Sequence, residues 1–123
     1  MSVQTQSQKM AQAAFPRIEQ RKNALNNKQF DEYTSFGKKF PALIHTCGLA
    51  QAVAFALAKK ETDYLDDLST VLNKSGHDAI DGRSALDQQA RTADLGSYLR
   101  LSRDALNAAG WLKRYVEAAG EDD

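Results

Sequence analysis

The feature that most constrains the fold is an apolar run in the middle of the chain. Between Ala42 and Ala58 the only strongly polar residues are His45, Thr46 and Gln51, and a pair of lysines flanks the run on each side. A membrane-spanning helix needs about 20 strongly apolar residues, and this run is shorter and rich in alanine. The run therefore predicts a helix that is buried at the centre of a globular domain.

The rest of the sequence predicts helices and no strands. Only 2 prolines and 7 glycines occur among 123 residues, and Phe30, Tyr33, Phe36 and Phe40 recur at helical spacing. We predict one compact all-α domain over residues 1–123, a bundle of about five to six helices around a buried central helix. The predicted helices lie near 8–27, 29–39, 41–60 and 62–75, then from 84 onward, and at 93–119, with a variable loop at about 73–92. One face of the predicted first helix carries Ala11, Phe15, Ile18, Lys22 and Leu25.

The charges balance overall but are unevenly distributed. The chain has 16 Lys and Arg and 16 Asp and Glu. Residues 1–60 carry nine basic against three acidic residues, and residues 61–94 carry three against eight. A protein that binds nucleic acid on its own is normally basic overall. We interpret the asymmetry as a two-ended molecule whose copies stack, with Lys38 and Lys39 of one copy against Asp66 and Asp67 of the next.

The sequence offers no convincing catalytic or metal centre. His45 and Cys47 are two positions apart on a predicted helix, so they point in different directions and are predicted to lie in the core. His77 and Asp78 resemble the metal-binding pair of phosphohydrolases, but they lie in a predicted loop and the ligand set is incomplete. Glycine-rich phosphate loops and CxxC or GxSxG motifs are absent. We predict no enzyme activity, no metal and no cofactor.

The single cysteine cannot form an intrachain disulfide, and the first ten residues contain no apolar stretch typical of a signal peptide. Both observations favour a cytoplasmic protein.

The predicted last helix has a broad apolar arc that extends from Leu95 to Val116. Trp111 and Tyr115 widen the aromatic surface beyond that arc. One interpretation is a bundle helix that touches two neighbouring helices. The other is that part of this surface meets another subunit, because aromatic residues are enriched at protein interfaces.

The same helix carries a polar stripe. Arg103, Asn107 and Arg114 lie within about 40° of one another around the helix axis, Arg100 lies at the edge, and no acid is predicted among them. Arginine together with asparagine suits contact with phosphate groups. A solvated helix face without a ligand is the alternative interpretation.

Two stretches resemble the small helical subunit of the Cmr, or type III-B, CRISPR RNA-guided effector complex. They are KKFPALIHTCGLAQAVAFALAK at residues 38–59 and YLRLSRDALNAAGWLKRYVEA at residues 98–118. The resemblance implies a non-catalytic subunit in antiviral defence that stacks in a minor filament beside the repeated backbone subunit. It also implies a surface that lines the channel where guide and target RNA pair. The matched basic positions are Lys38, Lys39, Lys113 and Arg114.

Three alternatives remain open at this point. The small subunit of the related type III-A (Csm) effector is also helical. A generic helical adaptor that binds only protein would leave the Arg103 stripe inert. A small metal-dependent phosphohydrolase would bind a metal at His77.

Overall fold

The computed structural model describes residues 3–120 and contains six α-helices in that range, with no β-strand. No helix among these residues is long and apolar enough to cross a membrane. The all-α prediction and its upper estimate of six helices are confirmed. In chain order the helices are α1 (Gln6–Ala24), α2 (Asn27–Cys47), α3 (Leu49–Ala58), α4 (Thr62–Lys74), α5 (Arg83–Thr92) and α6 (Leu95–Gly120).

The buried central helix is α4. This helix contacts all five other helices, and a helix enclosed on all sides must be buried around most of its circumference. Its apolar residues include Leu65, Leu68 and Leu72, all with no exposed surface. The sequence thus predicts a buried central helix correctly but places it in the wrong segment.

The apolar run from Ala42 to Ala58 is divided between two helices. The sequence predicts that a helix begins at Pro41, yet α2 continues through this residue, whose fixed φ is compatible with a helix. The break comes at Gly48, where a φ of 85° and a ψ of 160° suit glycine and few other residues. The chain folds back there, so α3 packs against α2.

Because α2 and α3 form a hairpin at the surface, the outer half of each helix is exposed. His45 and Cys47, both predicted to lie in the core, are exposed. Phe55 is 44% exposed, whereas Leu49 is fully buried. The prediction of a uniformly buried segment is therefore wrong for half of its residues, because the run contains more apolar surface than one neighbouring helix covers.

The aromatic residues of α2, which recur at helical spacing, form part of the core. Phe30, Tyr33, Phe36 and Phe40 are all buried, and the last three pack around Tyr64 of α4 with ring centres 5.0–6.0 Å apart. On α1 the buried face instead consists of Met10, Ala14 and Ile18. Phe15, which the sequence places on the same helix face as Ile18, is 51% exposed.

A buried ion pair network joins α1, α2 and α4 around Asp67, which has no exposed surface. Arg17 Nε donates to its carboxylate at 2.7 Å, and Arg21 donates through Nε at 2.9 Å and through its terminal nitrogen at 3.0 Å. The Tyr33 hydroxyl also donates a hydrogen bond to the Asp67 carboxylate. Burial, followed by the nearby Asp67 charge, raises the pKa of Tyr33 well above its ordinary value. A buried carboxylate is tolerated here because its oxygens receive several charge-assisted hydrogen bonds.

The segment predicted as a variable loop at about 73–92 contains α5, so the loop itself is limited to residues 75–82. After α4, Gly76 has a φ of 123° and the His77 N–H donates to the Leu72 carbonyl at 3.0 Å. A Schellman motif contains two hydrogen bonds, and this is the one that connects residues five positions apart. It ends α4 near the predicted boundary and directs His77 toward α6.

Candidate nucleic-acid interface

The predicted polar stripe lies on α6, the longest helix. Its 26 residues extend about 39 Å at 1.5 Å per residue. It lies antiparallel to α2, because Gly37 packs near Val116 and Gly48 lies near the Tyr98 hydroxyl. It lies parallel to α1, where Lys22 Nζ donates to the Ala119 carbonyl at 3.2 Å. The outer face of α6 is therefore flanked by α1 on one side and α2 on the other.

Arg100, Arg103, Asn107 and Arg114 are all exposed on this outer face. The sequence expectation that no acid lies among them is wrong at one position. Asp104 accepts from Arg103 Nε at 3.3 Å, although its own side chain is only 3% exposed. The cations of the stripe are therefore exposed, and Arg103 also contacts the buried carboxylate of Asp104.

Asp104 also holds the 75–82 loop. His77 Nε2 lies 2.7 Å from Asp104 Oδ2. Burial alone would raise the pKa of Asp104, but the hydrogen bonds from His77, Gln6 and Arg103 outweigh it, so the pKa is lowered. His77 therefore has a partner on α6 that the sequence did not indicate. Within the described part of the chain, no three His, Cys, Asp or Glu residues cluster in an arrangement that could hold a metal ion.

The second half of the stripe lines a groove of about 460 Å³. Arg114, Lys113 and Asn107 line it from α6, together with Pro41 of α2 and Ser7 of α1. Lys113, predicted within the apolar arc of α6, is partly exposed here. The structure therefore brings three of the predicted RNA-contacting residues to one concave surface.

Next to this groove lies an aromatic surface formed by Phe15, which is exposed, and by Trp111 and Tyr115, which are partly buried. The Trp111 and Tyr115 rings stack with centres 5.9 Å apart, and Phe15 of α1 meets Tyr115 edge-on at 5.4 Å. The Arg114 guanidinium lies over the Trp111 ring, 5.4 Å from its centre. Sequence reasoning found Trp111 and Tyr115 but did not connect Phe15 with them, because local periodicity does not show which helices contact each other.

Lys38 and Lys39 are exposed but line other grooves than the one over α6. Lys39 lines a groove of about 590 Å³ between α2 and α3, together with Phe55 and Lys59. Lys59 Nζ lies 5.6 Å from the centre of the Phe55 ring. Glu61 also lines this groove, and its pKa is raised by burial and by the neighbouring acids. The predicted RNA-contacting residues thus divide between the α6 face and the α2 face.

Asp66 and Asp67, the predicted acidic half of a stacking contact, are paired inside the molecule. Asp67 is buried against Arg17 and Arg21, so it cannot meet another copy. Asp66 lies 2.6 Å from Arg83. The packing of α1 on α4 brings arginines of the basic segment onto aspartates of the acidic segment. The uneven charge along the sequence is therefore partly neutralised within the fold, which removes the main support for charge-guided stacking.

Comparison with known proteins gives consistent matches over nearly the whole chain. Residues 6–119 match the family described as CRISPR-associated protein (Cas_Cmr5). The chain is 34% identical to the CRISPR system Cmr subunit Cmr5 of Thermus thermophilus, with 98% of this chain and 100% of that protein covered. It also resembles the crystal structure of a CRISPR-associated Cmr5 family protein from Thermus thermophilus. That likeness has a TM-score of 0.79 at 35% identity, over 94% of this chain and 97% of the other.

Proposed function

The chain belongs to the Cmr5 family of CRISPR-associated proteins, and we propose that it is a non-catalytic structural subunit of a type III-B (Cmr) RNA-guided effector in the cytoplasm. The observation that carries this proposal is the family match over residues 6–119, which includes all six helices almost entirely. Its partners would be the other Cmr subunits, including the repeated backbone subunit, further copies of itself, and the guide and target RNA. The match to Cmr5 also favours Cmr over the Csm alternative.

We assign the RNA-facing role to the outer face of α6. Arg100, Arg103 and Arg114 present exposed cations along one helix, and such cations bind phosphates through charge-assisted hydrogen bonds. The net charge of the whole chain is zero, so free RNA should bind weakly to the isolated protein. A continuous channel formed with neighbouring subunits would place more cations on the same strand.

For assembly into a minor filament, the part of the aromatic surface where Phe15 meets Tyr115, away from the groove, is a better contact than the acidic residues of α4. Phe15 is 51% exposed, and exposed aromatic residues are typical of protein interfaces. A heterologous contact of this surface with a different patch on the next copy would allow stacking to propagate.

Purification of the affinity-tagged chain from its native cells tests the proposed function. We expect it to co-purify with a multi-subunit complex that contains short RNA of uniform length. Recovery of the chain alone, or of a protein complex without RNA, would favour the generic adaptor. The non-catalytic assignment has its own test: metal-dependent phosphatase or nuclease turnover by the isolated chain that disappears in His77→Ala would contradict it.

Reconstitution with a Phe15→Ser variant tests the aromatic contact. Because Phe15 is half exposed, this variant should fold normally but enter the complex less efficiently. Phe55→Ser is the matched control, since Phe55 is 44% exposed on a different face. Equal incorporation of both variants would argue against the aromatic surface as the stacking contact.

A further inference from the structure

The groove over α6 has the size of a small-ligand site and a lining that mixes apolar and charged side chains. Its volume of about 460 Å³ lies within the range of about 300–1,000 Å³ that small-molecule sites occupy. Leu106, Trp111 and Pro41 supply apolar surface, and Arg114 and Lys113 supply positive charge. Three helices contribute to this lining, so the groove is part of the folded bundle and not of a loop.

Because Gly110 has no side chain, the backbone of α6 is uncovered at this point of the groove. A Cβ built on Gly110 would meet no atom within 4 Å, so no neighbouring side chain in the fold requires a glycine. Nor does the backbone require one, because Gly110 is not among the residues with positive φ. Glycine weakens a helix interior relative to alanine. A flat group that lies directly against the helix would account for a glycine at this position.

The charges of the groove favour a ligand with one phosphate over a row of phosphates. Arg114 and Lys113 can bind a single phosphate. Glu117 lines the same groove and would repel a second phosphate placed beside it. Its carboxylate and the amide of Asn107 can instead accept hydrogen bonds from a ribose hydroxyl or a base amino group.

The stacked pair of Arg114 and Trp111 suits a planar base. Arg114 lies 5.4 Å from the centre of the Trp111 ring, so its guanidinium is held near the indole face. Unpaired RNA bases stack on aromatic rings and on arginine planes, whereas bases within a duplex have no free face.

We propose that this groove binds one unpaired nucleotide of an RNA strand. Its phosphate contacts Lys113 and the edge of the Arg114 guanidinium, and its base lies against Gly110 and the outer face of that guanidinium, whose inner face lies over Trp111. This proposal rests on the RNA-facing role of α6 proposed above and adds a ligand class: a single-stranded nucleotide instead of a duplex backbone.

The intrinsic fluorescence of the full-length chain tests the ligand class. Trp111 is the only tryptophan in the sequence, so the signal reports on this groove alone. Adenosine and uridine monophosphate and a single-stranded RNA hexamer should change Trp111 fluorescence. Adenosine and inorganic phosphate should each require at least tenfold higher concentration, and a blunt RNA duplex of the same length should bind at least tenfold more weakly than the single strand. Equal affinity for duplex and single strand would overturn the proposal.

Matched substitutions test the location, with binding followed by the anisotropy of a labelled single-stranded RNA. Gly110→Leu should weaken binding at least tenfold, because its side chain fills the groove. Gly96→Leu, on the same helix but outside the groove, should leave affinity within twofold. A Cβ at Gly110 would meet no atom within 4 Å, and one at Gly96 would be in ordinary contact with the Asp94 carboxylate at 3.9 Å, so both variants should fold, and their melting temperatures check this directly. Equal affinities of the two variants would overturn the proposal.

Reconstitution of the whole effector separates failure of this inference from failure of the proposed function. Arg103→Gln and Arg114→Gln remove the same charge outside and inside the groove. If both variants reduce RNA retention equally and Gly110→Leu has no effect, RNA contacts α6 but the groove holds no nucleotide. If none of the three variants changes RNA retention, the RNA-facing role itself fails. If Gly110→Leu blocks incorporation of the subunit while RNA binding is unchanged, a partner protein occupies the groove, which also overturns this inference.

Discussion

At the residue scale, the carboxylate of Asp67 shows how strongly one buried charge depends on its partners. It accepts hydrogen bonds from Arg17, Arg21 and Tyr33 with no exposure to solvent. Removal of one partner of a buried ion pair costs more than formation of the pair contributes, because the remaining charge is left without compensation. The two arginine side chains are 27% and 15% exposed, so solvent relieves part of that cost.

We therefore expect Asp67→Asn to lower the free energy of unfolding by about 3 kcal/mol, at the lower end of the range for buried pairs. Urea denaturation at neutral pH measures this change. Asp66→Asn is the matched control and should change stability by less than about 1 kcal/mol, because its pair with Arg83 is partly exposed. Equal effects of the two variants would mean that Asp67 is not the central acceptor of the network.

The sequence alone could not distinguish these two aspartates. Asp66 and Asp67 are adjacent, and on a helix they differ only by about 100° in direction. Leu65 and Leu68 define the centre of the apolar stripe, and Asp67 lies within that buried sector despite its charge. Only the position of Arg17 and Arg21, some fifty residues earlier in the chain, makes a buried carboxylate acceptable there.

At the element scale, helix α3 ends in a Schellman motif that contains no glycine. The Lys60 N–H donates to the Leu57 carbonyl at 3.0 Å and the Glu61 N–H donates to the Ala56 carbonyl at 2.9 Å. Lys60 has a φ of 60°, a left-handed conformation that glycine adopts more readily. Among the described non-glycine residues, it is the one with positive φ.

Lys60→Gly should therefore stabilise the protein by about 1 kcal/mol, since the left-handed conformation costs about 1–2 kcal/mol for an L-residue and glycine loses some of this gain through chain entropy. The melting temperature measured by circular dichroism should rise by several degrees. Lys59→Gly is the control and should be neutral or destabilising, because Lys59 has a φ of −85°. A lower melting temperature for Lys60→Gly would contradict the cap assignment.

The hairpin of α2 and α3 makes a second prediction about elements. Leu49→Ala should cost about 2–5 kcal/mol, because it opens a cavity at a fully buried site. Phe55→Ala should cost clearly less, since its ring is 44% exposed. Urea denaturation of the two variants gives the comparison. A larger loss for Phe55→Ala would imply that α3 is turned the other way around its axis.

Helix periodicity predicted α6 almost to the residue, because one long amphipathic pattern has no competing interpretation. The sequence marks Gly48 as a possible bend but starts the helix at Pro41, because both residues are helix breakers in sequence terms. The choice between them depends on tertiary contacts. The Ala50 N–H donates to the Tyr98 hydroxyl of α6 at 3.2 Å, which gives the start of α3 a partner from another helix.

At the scale of the whole molecule, the contact between the 75–82 loop and α6 should respond to acid. The pKa of Asp104 is lowered from its ordinary value of 3.8 because its hydrogen bonds to His77, Gln6 and Arg103 outweigh the effect of burial. A group whose pKa is depressed in the folded state stabilises the protein above its unfolded pKa. This stabilisation is lost as the pH falls through the folded value.

Stability should therefore decrease as the pH falls below about 4, the ordinary range of an aspartate. Part of that decrease should disappear in Asp104→Asn. Urea denaturation between pH 7 and pH 3 measures both curves. Parallel curves for the parent and the variant would show that Asp104 does not contribute to acid sensitivity.

The candidate interface was predictable only in part, because some of it depends on contacts between helices that are distant in the sequence. The exposed cations of α6 follow from the periodicity of a single helix, so Arg103, Asn107 and Arg114 were found together. The aromatic surface also includes Phe15 of α1, and the groove also includes Pro41 of α2. Both residues lie next to α6 only because segments that are distant in the sequence pack together. Local patterns contain no information about which helices become neighbours.

The ion pairs of Asp67 with Arg17 and Arg21, which join α4 to α1, also have an evolutionary consequence. Loss of the Asp67 carboxylate would remove the partner of Arg17 and leave Arg21 with only its longer contact to Asp63 at 3.6 Å, and neither arginine can change freely while the acid remains buried. In an alignment of relatives, positions 17, 21 and 67 should therefore vary together, with apolar or neutral residues replacing all three at once. Exposed positions such as 100 and 107 have no such buried partner. Any restriction on their variation would reflect the molecules they meet outside the fold.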